Sequence, residues 1–205
     1  WALADADLVA VALPSQVARS VLEPLAGTID PNTNVVSLMK GIEQNTEALM
    51  SEVVSQALDV EEEAVAVLSG PNLAVEIAAE QPTATVIAAW DDAVAEEVAA
   101  CVQTAYFRPY TNSDVIGVEF SGAMKNVIAL GSGIAQGLGY GHNTVASIVT
   151  RGLLEMTRLG MALGAQKETF AGLAGMGDLM ATCSSPLSRN TRVGLCLARE
   201  MSLEE

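Results

Sequence analysis

Hydrophobic periodicity changes part-way along this chain, and the change leaves few folds open. Up to about residue 110, short apolar runs recur at 7–13 (DLVAVAL), 35–39 (VVSLM), 65–69 (VAVLS) and 84–89 (ATVIAA), with a shorter candidate at 106–110. Amphipathic stretches of helical spacing lie between them, and that alternation is the pattern of a parallel sheet flanked by helices. Helix signals accompany it. Ser15 after Pro14 is an N-cap candidate for a helix through Leu22, Thr46 opens one towards Leu58, Pro71 suits a first turn, and Asp91 with Asp92 leads a helix through Thr104. Past Asn112 the alternation stops, and residues 114–137 and 144–163 read as long helices rich in Gly, Ala and Ser. The expected architecture is an α/β parallel-sheet domain over 1–112 followed by an all-α domain over 113–205. Both read as partial, because Trp1 stands where a Met would and the tail Leu203-Glu204-Glu205 carries no helix-stop signal.

Charge divides at nearly the same place. Residues 1–107 hold 17 acids and 2 bases, while 108–205 hold 8 of each, so the whole net charge of −15 belongs to the first part. Such a surface repels a phosphate backbone, whose affinity depends on Lys and Arg, and nucleic acid is excluded as a partner. An anionic ligand therefore needs a local basic pocket. Half of the residues are hydrophobic, which excludes a disordered chain. No run approaches the ~18 to 20 apolar residues of a membrane-spanning helix, and no signal peptide opens the chain. Cys101, Cys183 and Cys196 form no Cys-x-x-Cys pair, so neither a disulfide framework nor a zinc site is indicated and a reducing compartment fits best. With His142 as its one histidine, the chain has little material for a Ser-His-Asp triad.

A few residues stand out chemically. Lys125 is the only fully charged residue in 120–150, with small neighbours at Ser121, Gly122 and Ala129. Its ammonium can donate a proton to a carbonyl, and it can equally snorkel to solvent. Asp178 follows two glycines in Gly175-Met176-Gly177-Asp178, as a presented carboxylate or as the cap of a following helix. Ser188, Arg189 and Asn190 precede a helical pattern from Thr191 to Arg199, an arrangement suited to anions at a helix start or to simple capping. Lys40-Gly41 and Ser69-Gly70-Pro71-Asn72 each follow a strand, at the carboxyl ends where open parallel sheets bind ligands, although turn geometry also accounts for those glycines. Gly131-Ser132-Gly133 resembles a dinucleotide fingerprint only superficially: the spacing to Gly137 is one residue too long and a helix precedes it, so close helix packing is expected, with His142 in a loop beyond.

Taken in order, VVSLMKGIE (35–43), LSGPNLAVEIA (68–78), the stretch 116–143, TRGLLEMTRLGMALGA (150–165), GLAGMGDLMATC (172–183) and SRN (188–190) resemble the NAD(P)-dependent glycerol-3-phosphate dehydrogenases over nearly the whole chain. The resemblance implies a Rossmann-like parallel-sheet domain ahead of an all-α substrate domain. It implies reversible NAD(P)H-dependent reduction of dihydroxyacetone phosphate to sn-glycerol 3-phosphate, feeding glycerophospholipid synthesis in the cytoplasm, by a homodimer without a metal. By similarity Lys125 is the general acid/base, with Asp178, Lys40 and Thr182 completing the catalytic group. Gly70, Asn72, Ser188, Arg189 and Asn190 join Lys40, Lys125 and Asp178 around the substrate, and Lys40, Ala74 and Arg189 face the cofactor. Two departures matter: the Gly-x-Gly-x-x-Gly loop and a later Val-Glu-Gly contact are not in these residues, so weak cofactor binding by this chain alone is expected and NAD cannot be distinguished from NADP. Asn72 also stands where many relatives carry a hydroxyl. The rival readings are a ketopantoate or 6-phosphogluconate dehydrogenase relative, which the Ser188 triplet disfavours, and a non-catalytic assembly module, which Lys125 and Asp178 disfavour.

Overall fold

The computed structural model describes residues 3 and 6–201; Trp1 and the acidic tail at 203–205 lie outside them. In chain order the elements are β1 (Leu8–Val11), α1 (Ala18–Leu22), β2 (Asn34–Ser37), α2 (Met50–Leu58), β3 (Val65–Ser69), α3 (Ala74–Ala78), β4 (Thr83–Ala88), α4 (Asp92–Val102) and β5 (Phe107–Asn112). Helices alone follow: α5 (Val115–Gly137), α6 (His142–Ala162), α7 (Lys167–Ala171), α8 (Asp178–Ser184) and α9 (Arg189–Leu197).

The five strands form one sheet in sequence order. β1, β2 and β3 are parallel, as are β4 and β5, but β3 and β4 run antiparallel, with Ser69 opposite Val86 and Val67 opposite Ala88. This corrects the wholly parallel expectation, and lengths give the reason. The connection at 70–82 contains only α3, whose five residues rise about 7.5 Å, whereas returning along β3 needs about 16 Å. The chain therefore turns back as a wide hairpin. α4, with 11 residues, covers about 16 Å and restores a parallel crossover between β4 and β5.

Several helix starts differ from the sequence signals. Ser15 begins a short 3-10 turn instead of capping a helix. Thr46 hydrogen-bonds to Glu43 in a loop, and α2 waits until Met50, where Glu52 reaches back to accept from the Leu49 N–H. Pro71 precedes α3 by three residues. Asp91 does cap α4, accepting from the Ala93 N–H at 2.8 Å. His142 is the first residue of α6 rather than a loop residue, and the last helix begins at Arg189, with Ser188 as its cap.

Strand alternation sorts the core onto two faces. Val35 and Val65 pack with Met50, Val53, Val54 and Leu58 of α2, while Val36, Ala66, Leu68 and Ile87 meet Ala95 and Val98 of α4 on the opposite side. The sheet also receives the start of the helical part: Val67, Val86 and Ala88 pack against Val115 and Val118 of α5. α5 is thus built into the sheet at one end and runs out into the helical part at the other. α9 lies backbone-to-backbone on it, because a Cβ at Gly133 would stand 2.2 Å from the Thr191 carbonyl oxygen. That is the close helix packing expected of this glycine-rich stretch.

Candidate functional site

Lys125 owes its position to the buried stripe of α5. Val118, Gly122, Lys125, Ala129 and Ser132 recur at helical spacing and all are buried. Lys125 is only 7% exposed, so it does not snorkel. Its Nζ donates to Asp178 Oδ1 and, at 2.9 Å, to Thr182 Oγ1. A π turn over Leu173–Gly177 leads directly into α8, so Asp178 and Thr182 fall one turn apart on the face towards α5. The Thr182 hydroxyl spends its own proton on the Asp178 carbonyl at 2.7 Å, which leaves its lone pairs for Lys125.

The other side of Asp178 belongs to the sheet. Lys40, three residues past β2, donates from Nζ to Asp178 Oδ2 at 2.5 Å and to the Gly70 carbonyl at 3.1 Å. Gly70 has φ +149, and a Cβ there would press on the Thr85 backbone at 3.2 Å, so this carbonyl is presented by a conformation and a close approach that favour glycine. Asp178, 2% exposed, therefore lies between two ammonium groups, one from each part of the chain, and caps nothing. Burial chiefly, and then the Lys40 charge, pull the Lys125 pKa down to about 8 against the raising effect of Asp178.

A cavity of about 530 Å³ opens beside this group. The sheet contributes Ala12 to Ser15 after β1, Leu38 to Lys40 after β2, and Asn72 with Leu73 after β3; the helical part contributes Lys125, Asn126, Thr182 and Leu187 to Asn190. All three sheet segments follow the carboxyl ends of parallel strands, where ligands of such sheets bind. Asn72 donates to Thr85 Oγ1 at 2.8 Å, while its Oδ1 is buried with no donor among the described residues. Ser188 accepts from the Thr191 N–H at 3.2 Å, so the capping reading holds for it even as it lines the cavity. Arg189 is exposed at the cavity wall, and Asn190 donates to Asn126 Oδ1 at 2.8 Å. Ala74 is exposed at the start of α3, and its neighbour Leu73 lines the cavity instead. A second cavity of about 490 Å³, between α5, α6 and α8, is lined by no Lys or Arg and offers an anion no charge.

Sequence reasoning missed Asn126, the strand-end residues 12–15, and Thr191, whose hydroxyl donates to the Thr182 carbonyl at 2.9 Å. The strand-end argument applied to Lys40 and Gly70 extends to residues 12–15, and Asn126 adjoins the singled-out lysine. Thr191 had no signal, because its partner is nine residues away in α8, on the far side of an intervening turn.

A family model described as the NAD-dependent glycerol-3-phosphate dehydrogenase N-terminus matches residues 1–95, and its C-terminal counterpart matches 114–205. The chain is 56% identical over 204 residues to the glycerol-3-phosphate dehydrogenase [NAD(P)+] of Frankia casuarinae, and 56% identical over 204 residues to that of Corynebacterium aurimucosum. Each alignment covers 100% of this chain and 61% of the relative, so the chain spans about three fifths of the length of the curated relatives it matches. The crystal structure of glycerol-3-phosphate dehydrogenase from Coxiella burnetii superposes with a TM-score of 0.90 at 38% identity, covering 97% of this chain and 60% of that one. The Plasmodium falciparum glycerol-3-phosphate dehydrogenase gives a TM-score of 0.85 at 25% identity, covering 96% and 55%.

Proposed function

The chain belongs to the NAD-dependent glycerol-3-phosphate dehydrogenase family, and on that premise we propose that it is the part of an NAD(P)-dependent oxidoreductase that carries the acid/base group and the phosphate site. The observation that carries this reading is the buried run Lys40–Asp178–Lys125, which joins the sheet to the helical part at the wall of a cavity that also holds Arg189. In this division residues 1–112 serve the cofactor and 113–205 the substrate.

Lys125 acts as general acid in reduction. Two of its three N–H donors are committed to Asp178 and Thr182, which aims the third at a substrate oxygen. A pKa of about 8 keeps the proton in place at neutral pH while making its release easier than from an ordinary lysine. Asp178 holds one negative charge against two positive ones, so the site is net cationic despite the acidic surface. Arg189 and the first N–H groups of α9, which have no partner within the helix, are suited to the substrate phosphate. Ser188 holds the start of that helix through Thr191, and Asn190 braces it on Asn126. Gly70 orients Lys40, and the unsatisfied Asn72 Oδ1 is an acceptor suited to a substrate hydroxyl.

An orphaned buried acceptor beside a cationic crevice at the ends of β1–β3 fits a dinucleotide as well as the phosphorylated substrate. Lys40 and Arg189 would hold it, with the start of α3 at Ala74 alongside. When bound, the cofactor supplies the hydride; the choice between NADH and NADPH is left to assay. We also propose a cytoplasmic homodimer that supplies glycerophospholipid synthesis. Among the described residues no helix is long and apolar enough to cross a membrane.

The test is oxidation of NADH and NADPH at 340 nm with dihydroxyacetone phosphate, using the full-length protein beside Lys125→Ala. Turnover by the parent and not by the variant is expected. A folded parent that consumes neither cofactor with this substrate sinks the reading.

A further inference from the structure

Glu119 is 4% exposed in α5, a buried carboxylate that the acid/base scheme does not use. No Lys or Arg among the described residues forms an ion pair with it. Its two oxygens instead accept from Ser51 at the first turn of α2: Oε1 from the backbone N–H at 3.0 Å, Oε2 from the hydroxyl. A carboxylate buried against neutral donors alone is costly to keep, so the contact calls for a purpose beyond packing.

The covalent path supplies one. Lys125 follows Glu119 by six residues in the same helix, about 9 Å along its axis. From Ser51 the chain leads back to Lys40 through a stiff loop: Leu49 bridges to Ile42, the Glu43 N–H donates to the Ala48 carbonyl at 2.9 Å, and Arg19 clamps Glu43 through Nε at 2.9 Å and Nη2 at 2.8 Å. Ile42 itself packs among Phe120 and Met124 of α5. Glu119–Ser51 and Lys125–Asp178–Lys40 are therefore two crossings of one closed circuit, with rigid backbone on both sides.

We propose that Glu119 is a positioning residue: by gripping Ser51 it forms a second tether between α5 and the sheet part, and so sets the separation of Lys40 and Lys125 around Asp178. The proposal rests on the reading of Lys125 as the acid/base group. Without the tether only the apolar contacts around Ile42 hold the loop to α5, Lys40 moves away from Lys125, and the proton donor loses its aim at the substrate.

The experiment compares wild type, Glu119→Gln, Glu119→Ala and Glu119→Leu in the full-length protein, with two readouts. One is kcat with dihydroxyacetone phosphate. The other is the titration of 13C-dimethylated Lys125, followed by NMR and assigned through Lys125→Arg. Gln keeps an oxygen for the Ser51 N–H, so its kcat stays within about threefold of wild type; Ala loses about ten- to a hundredfold, the effect of an ångström-scale misplacement. In the Ala variant the Lys125 midpoint rises from about 8 towards the ordinary lysine value as the Lys40 charge withdraws, and adding Lys40→Ala then raises it no further, whereas a merely structural loss leaves the two shifts additive. A folded Ala variant with wild-type kcat and midpoint overturns the proposal. If wild type itself turns over nothing, the proposed reaction fails, while the midpoint still decides the tether. Should Glu119→Ala not fold, Glu119→Leu, which fills the space but accepts from neither Ser51 donor, decides it: a lower kcat with a raised midpoint supports the tether, and wild-type values overturn it.

Discussion

Asp178→Asn keeps the side-chain shape and removes the one negative charge between two ammonium groups. Asp178 is 2% exposed, with Lys40 Nζ at 2.5 Å from one oxygen and Lys125 hydrogen-bonded to the other. Neutralising one partner of a buried ion pair costs about 3–5 kcal/mol. The Lys40 side chain is 23% exposed, which puts the expected loss near the lower end, about 3 kcal/mol. The same change acts on Lys125: the charge that raises its pKa is gone, while burial and Lys40, which lower it, remain. Losing only about 1.4 kcal/mol of that attraction moves the pKa by about one unit, from about 8 to about 7. The protonated fraction at pH 8 then falls from about one half to about one tenth, so reduction slows about fivefold there and little at pH 6. Reduction needs the protonated lysine and falls as pH rises through the pKa; oxidation of glycerol 3-phosphate needs the neutral form and rises through it. Rates in both directions from pH 6 to 10, with urea unfolding alongside, measure both effects. An Asn variant with the wild-type pH midpoint and a stability within about 0.5 kcal/mol of wild type would refute the reasoning.

Arg189→Ala, at an exposed position, changes stability by less than about 0.5 kcal/mol but raises the KM for dihydroxyacetone phosphate at least about tenfold, the value of a charge-assisted hydrogen bond; steady-state kinetics check it. Gly133→Ala drives a Cβ to 2.2 Å from the Thr191 carbonyl, so α9 is pushed off α5 with Ser188 to Asn190 on it; stability falls by about 1–3 kcal/mol and KM rises, measured by urea unfolding and kinetics. Burial raises the Glu119 pKa to about 7 from 4.5, so the folded state holds a proton that the unfolded state has lost between those values. Stability therefore falls as pH rises across that window, on the order of 3 kcal/mol in total, and Glu119→Gln flattens this slope in urea titrations at several pH values. Dialysis against EDTA leaves the rate of the full-length protein unchanged; loss of activity restored by added metal would count against the metal-free scheme.

What the sequence determined by itself was local. Strand period marked all five strands to within a few residues, because alternation or a short apolar run is a property of neighbouring side chains. The shift to long Gly/Ala-rich helices past Asn112 was legible for the same reason. The isolation of Lys125, the glycines ahead of Asp178 and the candidate anion site at Ser188 to Asn190 were each visible, although a bland alternative stood beside every one. What only the tertiary structure decided was long-range. The antiparallel return of β4 depended on the reach of α3 against the length of β3. α2 starts at Met50 rather than Thr46, where the local Glu52 cap on the Leu49 N–H is joined by a contact from outside, Glu119 of α5 accepting from Ser51. Nothing near Asp178 in sequence shows that it faces Lys125 across 53 residues and Lys40 across 138. Those pairings arise because α5 is packed into the sheet at one end, and burying a charge is tolerable only where the fold brings its partner. Local pattern names the residues able to do the chemistry, and the energy of bringing distant charges together out of water decides which of them meet.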